Sequence, residues 1–158
     1  MGESAKAQGQ EPSDTQRKWL TIFLYGICRE PQMWETETTT QWLKDIKYYE
    51  KKHSNELAAV LRNLKRFLAL LETAPNCKAV QAGFLHNEPK GIVAIDQKGG
   101  GGNLQETRLY TYPHEIKSKK VLYLITIGNK NEQTTDIQLS KNFVESILPT
   151  PQTTEKPT

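Results

Sequence analysis

At 158 residues, with 21 Lys and Arg against 18 Asp and Glu and a formal net charge of +3, the chain has room for one ordinary domain with flanking segments. A large multidomain enzyme is excluded. Charged residues make up 25%, and no apolar run approaches the ~20 residues of a membrane-spanning helix, so no membrane partner is expected. Two cysteines, Cys28 and Cys77, are too few for a disulfide framework and have no CxxC partner, which suits ordinary thiols in a reducing cytoplasm. With three scattered histidines they form no zinc-ligand cluster, so no metal and no cofactor are expected.

Residues 1–18 are polar and lack the large apolar groups needed to offset the entropy of ordering, so disorder is expected. The stretch 19–32 is an apolar leader of uncertain role. Arg17-Lys18 followed by Trp19–Cys28 hints at a signal peptide, but no small-x-small cleavage site follows. An edge strand, a short packed helix or a non-native leader are the alternatives, the last because Met33 stands immediately before the first predicted element. The tail 149–158 is rich in Pro and Thr and is expected to be disordered. Both flanks are charge-neutral, so the basic excess lies in a predicted domain over 33–148, with 16 basic and 13 acidic residues. A locally basic stretch, 86–130, points to a polyanionic partner.

Within that domain, Met33–Thr38 can form an edge strand. From Thr39 the period becomes helical: Trp42, Leu43, Ile46 and Tyr49 make an apolar face, with Lys44, Lys47 and Lys51 outward. Ser54 can cap a second helix, in which Leu57, Leu61, Leu64, Leu68 and Leu71 recur every three or four residues and Arg62, Lys65 and Arg66 take the opposite side. The pair reads as a helical hairpin ended by Pro75. The period then changes to that of strands: Ile92–Ile95, Leu104–Tyr112, and Val121–Ile127, which is apolar on both faces. Residues 112–120 are taken as the connection of an antiparallel hairpin between the last two. Asp136 can cap a last helix that packs Ile137, Phe143, Val144 and Ile147 on the sheet. The order β-α-α-β-β-β-α predicts an α+β domain: a small antiparallel sheet, helices on one face, formed by the helical hairpin and a C-terminal helix.

The run Lys98-Gly-Gly-Gly-Gly-Asn103 is not a phosphate-binding P-loop, because its lysine precedes the glycines and no Ser or Thr follows. It reads as a mobile loop between strands, or as one that lets Lys98 and the backbone approach an RNA strand closely. On one face of the next strand stand Arg108, Tyr110 and Tyr112, with His114 beyond them and Lys130 after the last strand. Metal-free RNA cleavage requires a base for the 2′-OH, a cation for the phosphorane and an acid for the leaving oxygen, and this set contains those chemical types. The alternative is a polar sheet face with a snorkelling arginine and half-buried tyrosines. His53 and His86 carry no partner signal and are read as surface residues. The helical cations, Arg62, Lys65 and Arg66 among them, form a solvated face or contact nucleic-acid phosphates.

The segment Glu106-Thr-Arg-Leu-Tyr-Thr-Tyr112, followed by Val121-Leu-Tyr-Leu-Ile-Thr-Ile-Gly-Asn-Lys130, resembles the RelE/ParE superfamily of type II toxin–antitoxin toxins. The shared pattern is a strand with Arg-Leu-Tyr, a hairpin, and an apolar strand ending in Gly-x-Lys before a final helix. With Trp34 and the helical hairpin, the resemblance covers roughly 33–148. It implies a RelE-like fold and, for members similar to RelE and HigB, a metal-independent mRNA interferase: an endoribonuclease that cuts mRNA on the ribosome and inhibits translation. ParE-like members inhibit DNA gyrase instead, and a catalytically silent binding module of the same fold is a further alternative. The resemblance also implies a cognate antitoxin protein, forming a toxin–antitoxin hetero-oligomer, and a cytoplasmic site of action. Carried over residue by residue, the strand arginine is Arg108, the basic residue after the glycine is Lys130, and the preceding lysine is Lys98, with Lys90 as its alternative. The tyrosine that some members carry at the start of the last helix has no match at Thr134, Thr135 or Asp136. Proton transfer then falls to Tyr110, Tyr112 or His114.

Overall fold

The chain divides into two units, 1–32 and 33–158. The computed structural model describes residues 33–149 except Lys117, so the expectations for 1–18, for 19–32 and for the tail beyond Pro149 lie outside the described residues.

The first helix starts where Thr39 can serve both neighbours. Its hydroxyl accepts from the Trp42 amide at 3.0 Å and donates to the carbonyl of Ile125, which fixes the entry of helix α1 (Thr40–Lys52) against the sheet. Helix α2 (Ser54–Thr73) follows after a single residue, His53, whose carbonyl accepts from Leu57 N at 3.0 Å. His53, not Ser54, holds the cap position, because its own backbone is the last to leave helical geometry, and no side chain caps α2. Of the predicted apolar face of α1, Trp42 and Tyr49 are buried, whereas Leu43 is 51% exposed. Leu43 lies about 100° round the helix from Trp42, outside the stripe that meets the sheet.

The strands are β1 (Glu35–Thr38), β2 (Leu85–Asn87), β3 (Val93–Asp96), β4 (Thr107–Ile116) and β5 (Lys119–Asn129), arranged β1-β5-β4-β3-β2. Pairing is antiparallel from β2 to β5, but β1 runs parallel to β5, so the sheet is mixed. The sequence pattern predicts an antiparallel sheet throughout, and β1 corrects it: alternation over four residues carries no strand direction. Strand β2 is also new. Three residues between Gly83 and Pro89 are too few to show a period. Strand β4 continues through Pro113 to Ile116, so the expected connection at 112–120 shrinks to the residues between Ile116 and Lys119. Pro113 is tolerated because β3 pairs with β4 only as far as Thr111, leaving that side of β4 without a ladder.

Helix α3 (Gln133–Ile147) covers the sheet face opposite the helical hairpin. The helices therefore lie on both faces, not on one. Strands β3, β4 and β5 are apolar on both sides, so a single helical layer would leave Ala94, Tyr110 and Ile125 in water. A bulge at Ile125, where Thr111 pairs Leu124 and Tyr110 pairs Thr126, switches the alternation so that Leu124 and Ile127 both join the hairpin-side core. Beyond the end of β1, Asp45 of α1 takes the place of a strand partner: its Oδ2 accepts from Thr126 Oγ1 at 2.6 Å and from Ile127 N at 3.2 Å. Asp136 does not cap α3. Asn129 caps a short 3-10 turn (Lys130–Glu132) through a capping box with Glu132, and α3 continues from it.

Candidate functional site

The site is organised by Asp96, the last residue of β3, which is buried. Its Oδ1 accepts from Lys98 N at 2.8 Å, and its Oδ2 accepts from His86 Nε2 of β2 at 2.7 Å and lies 3.3 Å from Lys98 Nζ. Buried Asn63 of α2 donates to the carbonyls of Asp96 (2.8 Å) and Lys98 (2.9 Å), tying the chain that leaves β3 to the helical hairpin. The glycine run then turns back over α2. A Cβ on Gly100 would stand 2.6 Å from the Ala59 Cβ, so only glycine permits this close approach.

Arg108 stands across from Asp96 on the neighbouring strand, in register with Gly128 of β5. Its guanidinium lies 3.5 Å from Glu88 and 3.3 Å from Glu106, and its Nε is buried without a partner among the described residues. Glu106 is also 3.6 Å from Lys130. His86, Asp96, Lys98, Leu104, Glu106 and Arg108 line one pocket of about 310 Å³. Three of the sequence candidates are thereby brought together: Arg108 and Lys98 in the pocket wall, and Lys130 linked to it through Glu106. Three carboxylates, Asp96, Glu88 and Glu106, offset these three cations one for one. An incoming phosphate must displace a carboxylate from Arg108, and Glu106, the more exposed of its two partners, is the easier to displace.

The other candidates lie elsewhere. Tyr110 is 1% exposed beneath α3, and burial together with the Asp136 carboxylate pushes its hydroxyl far above its ordinary range, so it cannot exchange protons with a substrate. Tyr112, half-buried and also pushed up by burial, stacks against His114 with ring centroids 5.6 Å apart. These two are four and six residues along β4 from Arg108, about 13 and 20 Å at the ordinary rise of a strand. They cannot act on a phosphate held at Arg108. Lys90 is paired with Glu145 of α3. Arg62 and Lys65 are exposed on α2, while Arg66 lies 4.5 Å over the Phe84 ring and donates to Asn63 Oδ1 at 3.3 Å. His53 packs against Tyr48 and Tyr49 between the two helices.

His86 is the main correction. Read from sequence as a surface residue without a partner, it is bound to a buried carboxylate and sits in the pocket. Asp96, Glu88, Glu106 and Asn63 were likewise not singled out. Glu106 and Asp96 each have one partner two residues away, but the contacts that assemble the site span 10 to 35 positions and arise only through strand register and loop packing, so no local motif could reveal them. Among the described residues, no group of three His, Cys, Asp or Glu is placed to hold a metal ion, and no helix is long and apolar enough to cross a membrane. No family model, curated protein or solved structure matches the chain.

Proposed function

We propose that the protein is a metal-independent endoribonuclease of the RelE kind, the toxin of a type II toxin–antitoxin pair, acting in the cytoplasm on mRNA at the ribosome and held inactive by a cognate antitoxin. The observation that carries this reading is that Arg108 and Lys98, predicted independently from a strand and a loop, share one pocket, with Lys130 at its edge. A guanidinium and an ammonium converging on one concavity are suited to a phosphate whose charge grows in the transition state. The helical cations Arg62 and Lys65, exposed on α2, are available for further contacts with the RNA backbone.

A second reading, a binding module without catalysis, is favoured by the one-for-one pairing of the pocket cations with carboxylates. Expression of the wild type and of Arg108→Ala in a growth assay, with mRNA 5′ ends mapped, separates the two. The nuclease reading expects growth arrest with new mRNA ends from the wild type and neither from the variant. Equal growth and intact mRNA in both strains would overturn it. Glu106→Gln, which frees Lys130 and one of the two carboxylate contacts of Arg108, should tighten RNA binding several-fold under either reading.

A further inference from the structure

We infer that His86 is the proton-transfer group for RNA strand cleavage in this pocket and that Asp96 is its positioning residue, an inference that rests on the nuclease reading above. Three observations meet here. The His86 Nε2 lies 2.7 Å from Asp96 Oδ2, and an ionised carboxylate only accepts, so Nε2 carries the hydrogen of this bond and, in the neutral imidazole, Nδ1 is the nitrogen with the lone pair. Nδ1 has no hydrogen-bond partner among the described residues, and the side chain is 29% exposed, within reach of a substrate. Asp96 itself is fixed from two other directions, by Lys98 N at its Oδ1 and by Asn63 at its carbonyl, so the imidazole is anchored to an immobile carboxylate. The sequence candidates for this step, Tyr110, Tyr112 and His114, are buried or too far along β4. His86 is the imidazole that shares the pocket with Arg108 and Lys98, and the pocket's carboxylates, Asp96 and Glu106, are engaged in ion pairs with Lys98, Arg108 and Lys130.

The step runs as follows. The RNA 2′-OH gives its proton to His86 Nδ1, and the 2′-oxygen bonds to phosphorus as the bond from phosphorus to the 5′-oxygen breaks. Water protonates the departing 5′-oxygen, and the imidazolium returns its proton to the hydroxide so formed. The products are a 2′,3′-cyclic phosphate and a 5′-hydroxyl, with no net proton change. Arg108 and Lys98 neutralise the added phosphorane charge, Arg108 through its terminal nitrogens once Glu106 is displaced.

The test compares the full-length wild type with His86→Ala, His86→Asn, Asp96→Asn and Arg108→Ala. Substrates are a mixed-sequence RNA oligonucleotide and a ribosome-bound mRNA, with product ends identified by mass spectrometry. His86→Asn keeps a donor for Asp96, so it guards against loss of activity through misfolding. Wild-type products should end in 2′,3′-cyclic phosphate. Both His86 variants should lose about 10²- to 10⁴-fold in kcat. Added imidazole should restore part of the His86→Ala activity and none of that of Arg108→Ala. Asp96→Asn should lower kcat and displace the pH dependence of kcat, whereas general loss of folded protein lowers apparent kcat by the same factor at every pH. If the His86 variants cut at the wild-type rate while Arg108→Ala does not, the role of His86 is overturned and the nuclease reading stands. If the wild type leaves both RNAs intact, the nuclease reading falls and the role of His86 with it.

Discussion

The two faces of the sheet are covered by helices but built on different terms. The hairpin side is an apolar layer from Trp34 to Leu71, in which a stripe of Leu57, Val60, Leu64 and Phe67 meets Ile95, Leu109, Leu122 and Leu124. Its buried polar groups, Asn63 and the Trp34 indole, are each satisfied: the Trp34 Nε1 donates to Leu71 O at 3.2 Å. The α3 side has a smaller apolar patch around Ile125 and Val144, and towards the end of the sheet it changes into charge. There Arg108 Nε and Asp136 Oδ2 are both buried with no hydrogen-bond partner among the described residues. Stability is concentrated on one face and unsatisfied chemistry on the other. The candidate pocket sits at the charged end of the second.

The sharpest way to break this contrast is to cut into the hairpin side. Phe67→Ala, at a residue 1% exposed, should cost about 3–5 kcal/mol, read as a lowered denaturant midpoint. A loss below ~1 kcal/mol would mean that this layer is not the main support of the fold.

A smaller effect is expected at the junction of α3 with β5. Gly128 has no side chain because the Asp136 carboxylate occupies that space, and an added Cβ would stand 1.9 Å from Oδ2. Gly128→Ala should therefore destabilise by about 1–3 kcal/mol, the usual range for overpacking. Asp136→Ala should relieve most of that loss in the double mutant, with a coupling of about 0.5–3 kcal/mol between neighbours. Additive losses would show that the two sites do not compete for the same space.

A third effect separates the two faces by pH. Burial, with Glu132 and Asp45 nearby, raises the Asp136 carboxyl from 3.8 to about 7. The folded state therefore holds a proton that the unfolded chain releases near pH 4. This contribution to stability is complete below pH 4 and is lost as pH rises through about 7. Asp136→Asn should flatten the stability profile between those limits and exceed the wild type above pH 7. Denaturant titrations at pH 4, 6 and 8 check this, and an unchanged slope in the variant would remove Asp136 as its source.

How far the sequence could be read differs between elements for physical reasons. The helical hairpin was legible because a stripe repeating every three or four residues over two helices is redundant, and one exposed residue such as Leu43 does not blur it. Strands β4 and β5 were legible from their length. Strand β2 was not, and the end of β4 was misplaced because Pro113 and Glu115 resemble turn residues until the edge beside them is known. At the candidate site, the sequence singles out Arg108, Lys98 and Lys130, which the fold brings near one another, and passes over His86. Its significance depends on Asp96, ten residues away across an antiparallel pair whose first strand was not predicted.

The amino-acid sequence by itself determined the α+β class, the helical hairpin, the β4–β5 pairing and the location of the basic excess, because each follows from periodicity or composition along the chain. Only the tertiary structure decided that β1 runs parallel, that α3 takes the opposite face, that Asp136 fills the space above Gly128 and that His86 meets Asp96 beside Arg108. Those outcomes depend on strand register and on which surfaces remain uncovered after the first layer packs. Both are properties of contacts between distant segments and leave no local trace.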